Sequence, residues 1–310
     1  MAGLNWPGLL AWSTKYHDGT APSNFKQLSD EDREFLEKAM EEAFGKLEDP
    51  NQVMAEAIQQ IKAQDRTNEG IATALEVMDK CCDDRDCARN IEKLDGVQPL
   101  LDLLGSHPQF RARTLDIFSL LLQNNPKIQE VGFKRGCLGK FLSIARESEL
   151  GSEERAKAFR ALVALVRQVE AFEELLLREE GGVGLVVSCL DPAEDPRTHE
   201  KALSFAWSMA TDARLLPGDV ECLSAAILRL FPTMDGRTIQ YRENLAGCAR
   251  EFAQTFPTQC PPELTAAVQA RLARLHVAKD PDCSEEHSTH QDFLVAIAAR
   301  NGTATAPPAA

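Results

Sequence analysis

The sequence predicts an all-α fold, a right-handed helical solenoid of stacked three-helix repeats. Three observations predict it. Leu, Ala, Glu, Lys and Arg dominate the 310 residues, and aromatic residues make up only 6%, a helix-forming composition. An apolar stripe at offsets 0, 3 and 7 recurs four times. Each of the first three stripes is followed by the same punctuation: a polar break, a short helical stretch, a glycine and a second apolar helix.

The amino-terminal region, residues 1–69, is read as a loosely attached segment. A Leu9, Leu10, Trp12 cluster leads into the polar linker HDGTAPSN. LSDEDREFLEKAMEEAF then reads as a helix, with Ser29 as N-cap, Asp30 to Asp32 in its first turn, and a stripe of Phe35, Leu36, Met40 and Phe44. The solenoid is placed at residues 70–276. Its stripes are Leu75, Met78, Cys82; Leu115, Phe118, Leu122; Phe159, Leu162, Val166; and Leu203, Ala206, Ala210, with steps of 40, 44 and 44 residues. The glycines Gly96, Gly136 and Gly181 follow the first three stripes at offsets of 21, 21 and 22. A three-helix period of about 40–47 residues is the armadillo/HEAT signature. Asn124, Asn125 and Pro126 end one helix and begin the next, with proline where its missing N–H is harmless. Gly136 permits a sharp turn between two helices. Beyond residue 215 the pattern blurs into amphipathic capping helices. Residues 277–310 read as a mobile tail with one short helix around Phe293 to Ile297.

Charge narrows the function. The net charge of −14 repels nucleic acid and anionic lipid. No run approaches the roughly 18 apolar residues of a membrane span, and no targeting segment is predicted. Nine cysteines without a signal peptide read as reduced thiols in the cytoplasm. GGVG at 181–184 lacks a Lys/Ser pair and a preceding strand, so it is no phosphate loop. Cys81, Cys82 and Cys87 lack a fourth ligand, and Cys283, His287 and His290 supply only three. The expectation is therefore a non-enzyme with no catalytic residue, metal or cofactor. Thr73, Arg113, Lys157 and Lys201 each lie two residues before a stripe anchor. Three of these four are basic, a column suited to an acidic folded partner. Arg111 and Arg160 are further candidates on the inner helices, while Arg167 is read as capping its own helix end.

Three repeat stretches resemble a known family: ARNIEKLDGVQPLLDLL (88–104), LLQNNPKIQEVGFKRGCLGKFLSIA (121–145) and ERAKAFRALVALVRQVEAFEELLLREEGGVGLVV (154–187). The opening LLAWSTKY (9–16) is similar to the same family's start. The family is the armadillo-type nucleotide exchange factors of the heat shock protein 70 chaperone, the heat-shock-chaperone-binding-protein homologues. The resemblance implies a co-chaperone that clasps the chaperone's nucleotide-binding domain in its concave face and releases ADP. It implies partner contacts at Ala88 and Lys201, and a client-release role for residues 1–28 with Leu9, Leu10 and Trp12. The alternative reading is an armadillo scaffold for another protein. A monomer without nucleic-acid or membrane partners is expected in either case.

Overall fold

The computed structural model describes residues 29–44, 49–147, 150–178, 180–278 and 283–300. It divides into two compact units, Met1–Val53 and Met54–Ala310. In the first, helix α1 (Asp30–Phe44) begins where expected: the Asp32 amide donates to Ser29 Oγ at 3.2 Å. Phe35 and Met40 on its stripe are exposed. Leu9, Leu10 and Trp12 lie outside the described residues.

Helix α2 (Pro50–Lys62) lies within the segment expected to be loosely attached. Its Met54, Ala57, Ile58 and Ile61 are buried in the second unit. The remaining helices are α3 (Asn68–Cys82), α4 (Arg85–Asn90), α5 (Val97–Ser106), α6 (Arg111–Leu122), α7 (Pro126–Lys134), α8 (Cys137–Arg146), α9 (Ser152–Val166), α10 (Glu170–Arg178), α11 (Gly182–Cys189), α12 (Pro196–Thr211), α13 (Pro217–Leu230), α14 (Ile239–Thr255), α15 (Pro262–Ala278) and α16 (Ser284–Arg300). No strand occurs among the described residues.

All twelve stripe residues are buried, each at 4% exposure or less. They lie on α3, α6, α9 and α12, which pack side by side in that order. No repeat buries its apolar stripe alone, so the core is one continuous cluster running through successive repeats. The row does not stop at α12. Leu245, Cys248 and Phe252 on α14 repeat the 0, 3, 7 spacing 42 residues after Leu203, and all three are fully buried. Helix α14 packs against α12, and α16 packs against α14. Residues 284–300, expected as part of a mobile tail, are this last helix; Glu286, His290 and Phe293 on it are buried.

The turns explain the glycines. Gly136 (φ 84°) and Gly181 (φ 63°) adopt the left-handed conformation before α8 and α11, where glycine has no steric penalty. Gly96 differs. Its φ is −89° and Asp95 (φ 50°) takes the left-handed turn instead. A Cβ on Gly96 would lie 2.7 Å from Ile58 Cδ1, so close packing selects glycine there. Asn124 (φ 53°) is also left-handed, and the Asn125 side chain donates to the Leu121 carbonyl at 3.1 Å, as turn chemistry predicts.

Neighbouring repeats are also joined by a buried polar clamp. Gln129 of α7, 2% exposed, donates to the Ala164 and Arg167 carbonyls at 2.8 and 2.9 Å. These carbonyls lie at the end of α9, where helical partners run out. Gln129→Ala is expected to destabilise the protein by about 1–3 kcal/mol, seen as a lower urea midpoint. An unchanged midpoint would show that the clamp is dispensable.

Candidate functional site: the groove along the inner helices

The buried stripes fix which residues face outward. On α6 the opposite face carries Arg113, Asp116 and Leu120; on α9, Lys157 and Arg160, with Arg167 at its C-cap; on α12, Lys201, Ser204 and Ser208. Residues three and four apart share a helix face, so three adjacent helices present one continuous polar surface. That surface is recessed. A 490 Å³ groove is lined by Asp116, Leu120, Arg160, Ala164, Arg167 and Lys201 among others. A second groove of 610 Å³ adjoins it and shares Asp116 and Arg160. Toward the carboxyl end a 320 Å³ hollow is bordered by Arg167, Ser204 and Trp207.

The basic column is present but not as the sequence suggested. Two of its cations are paired with acids one repeat earlier. Arg113 Nη1 lies 3.3 Å from Glu76, and Lys157 Nζ lies 2.9 Å from Asp116 Oδ2. A simple register rule connects them. The residue two before each stripe anchor meets the residue one after the previous anchor. Glu76 follows Leu75, and Asp116 follows Leu115. By that rule Lys201 faces Arg160, another cation. Arg160 donates instead to Asp116 Oδ1. Lys201 is exposed and has no ion-pair partner among the described residues. Thr73, at the foot of the column, bonds back to its own helix, donating to the Glu69 carbonyl at 3.0 Å.

Lys157 is securely charged. Burial alone would lower its pKa, but hydrogen bonds to the Asp116 and Glu153 carboxylates, both at 2.9 Å, raise it.

Ala88 and Arg111 are less accessible than the groove residues. Ala88 is 4% exposed inside α4. Arg111 is a strut between repeats. Its side chain is 14% exposed, pairs with Glu154 at 3.0 Å and donates to the Leu104 carbonyl at 3.2 Å. Arg167 stands at the C-cap of α9, its amide donating to the Val163 carbonyl at 2.9 Å, and its guanidinium reaches the next repeat, donating to Ser204 Oγ at 3.3 Å.

Trp207 was not among the expected groove residues. Its ring lies on Gly247 of α14, where a Cβ would come within 2.5 Å of it. Its Nε1 donates to Glu251 at 3.2 Å, and the Arg250 guanidinium sits 5.8 Å from the ring centre. The signal was in the sequence, since Trp207 is one residue beyond the buried Ala206, but a single tryptophan has no repeat to mark it.

No group of His, Cys, Asp and Glu side chains suited to a metal ion occurs among the described residues. Glu286 and His290 instead belong to a buried ionic cluster between the last three helices. Burial pushes the Cys137 and Cys189 thiols up to about 12, so neither is a ready thiolate. No helix among the described residues is long and apolar enough to cross a membrane.

Fold and groove together define the class: an armadillo-type solenoid with a polar groove along its inner helices. A designed armadillo repeat protein, solved in complex with the peptide (KR)4, superposes with a TM-score of 0.62 at 15% identity, covering 79% of this chain and 99% of that one. Residues 7–91 match the family model described as nucleotide exchange factor Fes1. The Hsp70 nucleotide exchange factor FES1 of Candida glabrata is 31% identical over 202 residues, 60% of this chain and 68% of the relative. That of Debaryomyces hansenii is 28% identical over 173 residues; the match takes in 54% of this chain and 59% of that relative's length. The chain belongs to the Fes1 nucleotide exchange factor family.

Proposed function

We propose that the protein is a non-catalytic, cytoplasmic and monomeric co-chaperone that binds the nucleotide-binding domain of Hsp70 and accelerates ADP release. Membership of the Fes1 family supports the activity. The observation that carries the binding mode is the continuous groove across α6, α9 and α12, with Lys157, Arg160 and Lys201 along it. Arg113 lies on the same row of helices.

The mechanism is a matter of differential affinity. A rigid cradle that fits the chaperone domain better when its lobes are apart shifts it toward that state. ADP needs the lobes together, so its dissociation speeds up. Linkage makes the effect reciprocal: bound ADP weakens the chaperone's hold on the cradle by the same factor. Residues 1–28, with Leu9, Leu10 and Trp12, would clear client polypeptide from the chaperone's peptide groove.

Stopped-flow release of a fluorescent ADP from Hsp70 tests the reading. A stoichiometric amount of the protein is expected to raise the off-rate, and a parallel titration to show ADP affinity weakened by about 5- to 150-fold, the usual range of a coupling free energy. An unchanged off-rate would refute the activity. Deleting residues 1–28 is expected to leave ADP release intact and slow client release. Lys201→Glu is expected to weaken binding about tenfold, equal to roughly 1.4 kcal/mol, with a melting temperature no lower than the parent's, because the residue is exposed and faces Arg160. Calorimetry showing equal affinity would remove Lys201 from the interface.

A further inference from the structure

The groove carries a feature that a simple cationic cradle does not need. Asp116 sits at its centre, on the wall common to both recesses. One carboxylate oxygen holds Lys157 at 2.9 Å and the other accepts from Arg160. The three side chains are neither sealed nor free, at 31%, 20% and 35% exposure. Glu153 adds a second carboxylate to Lys157 from the exposed side, 2.9 Å away. The densest cationic part of the groove is thus already occupied by acids of the same chain. Lys201, one helix further, is not.

We propose that Asp116 is an internal competitor for the partner's carboxylates and thereby sets the selectivity of the groove. This inference rests on the proposed chaperone-binding role. A partner acid that engages Arg160 or Lys157 competes with Asp116 for their N–H donors. A lone carboxylate or a diffuse polyanion gains little from that exchange, because one ion pair replaces another. A folded surface with two or more carboxylates, spaced to reach Lys201 and the α9 cations together, gains the additional pair with Lys201. Asp116 therefore slows association with acidic surfaces in general and favours a partner with clustered acids. Without it, Lys157 keeps Glu153 but Arg160 has no acid partner among the described residues, and its charge adds to that of Lys201 in steering anions toward the groove.

Asp116→Asn keeps the shape and one acceptor but removes the charge. The association rate with Hsp70 is expected to rise roughly three- to tenfold at low salt and to depend more steeply on ionic strength. The variant is also expected to elute from heparin, a non-specific polyanion, at higher salt than the parent. Asp116→Glu should behave as the parent in both assays. A purely structural role would instead lower the melting temperature and leave the association rate unchanged or reduced. If the parent accelerates ADP release and Asp116→Asn associates no faster, the competitor role is overturned. If the parent does not accelerate ADP release, the chaperone reading fails and heparin retention decides: later elution of Asp116→Asn supports the competitor role, and equal elution overturns it.

Discussion

Glu286→Ala is expected to destabilise the protein by about 3–5 kcal/mol, the range for breaking a buried ion pair on one side. Glu286 is 1% exposed. Its Oε1 accepts from Arg271 Nε at 2.7 Å, and Arg242 Nη1 lies 3.6 Å from its Oε2. The three residues belong to α16, α15 and α14, so one carboxylate ties the last three helices of the solenoid together. Truncating it leaves Arg271, whose side chain is 7% exposed, with Asp235 alone, and leaves the 16%-exposed Arg242 with no ion-pair partner among the described residues. Burial alone would raise the Glu286 pKa. The neighbouring His290 and Arg271 side chains outweigh burial and hold it at about 2. Arg271 makes the closer contact; His290 Nε2 is 3.6 Å away, beyond hydrogen-bond length.

The sign of the pH dependence follows. An unfolded glutamate titrates near 4.3. The folded value is lower, so the stabilisation is present above that point and lost as pH falls toward 2. Urea midpoints for the parent and for Glu286→Gln at pH 7, 4 and 3 provide the measurement. The gap between them should be widest at pH 7 and shrink with acid. A gap that stays constant would mean that the charge of Glu286 contributes nothing.

Phe118→Ala is expected to cost a similar amount, about 3–5 kcal/mol, through the cavity it leaves. Phe118 is 1% exposed and meets the Phe141 ring edge-on, with centroids 5.1 Å apart at 67°. Its helix, α6, packs against α3 on one side and α9 on the other, so the void loosens two interfaces of a nearest-neighbour stack. Amide hydrogen exchange should show the loss first in α6 and its neighbours, while α14 to α16 keep their protection. Uniform loss across all helices would show that the stack unfolds as a single unit.

The inner row from α3 to α12 was legible because its signal is periodic. Four stripes with one spacing identify four helices that bury the same face, and the coordinates seat all twelve residues in the core. The continuation through α14 and α16 was harder to read. There the spacing survives, but the intervening punctuation does not: no glycine stands at the expected offset after Leu203, and Cys248 takes a place held elsewhere by Leu, Phe, Met or Ala. The helix at Ser284–Arg300, within the segment expected as a tail, was hard to read for a related reason. Glu286 and His290 look like surface residues until Arg242 and Arg271, distant in sequence, surround them.

The groove was legible in residue type and not in charge balance. Arg113 and Lys157 stand out as basic, but their neutralising partners lie 37 and 41 residues upstream, at Glu76 and Asp116. Only the packed register brings these residues together. Ala88 shows the converse: a small residue in a suggestive place reads equally as a contact or as packing, and only the packed fold shows that it is buried.

Because the Trp207 indole covers the α14 backbone on one side and borders the groove on the other, it is a built-in optical probe of occupancy. The chain has three tryptophans, and the other two, Trp6 and Trp12, can be changed to phenylalanine. Emission from Trp207 alone would then shift when a ligand dries the hollow beside it, and would shift again when α12 and α14 part. One intrinsic fluorophore thus reports docking and melting from the same sample, without a label.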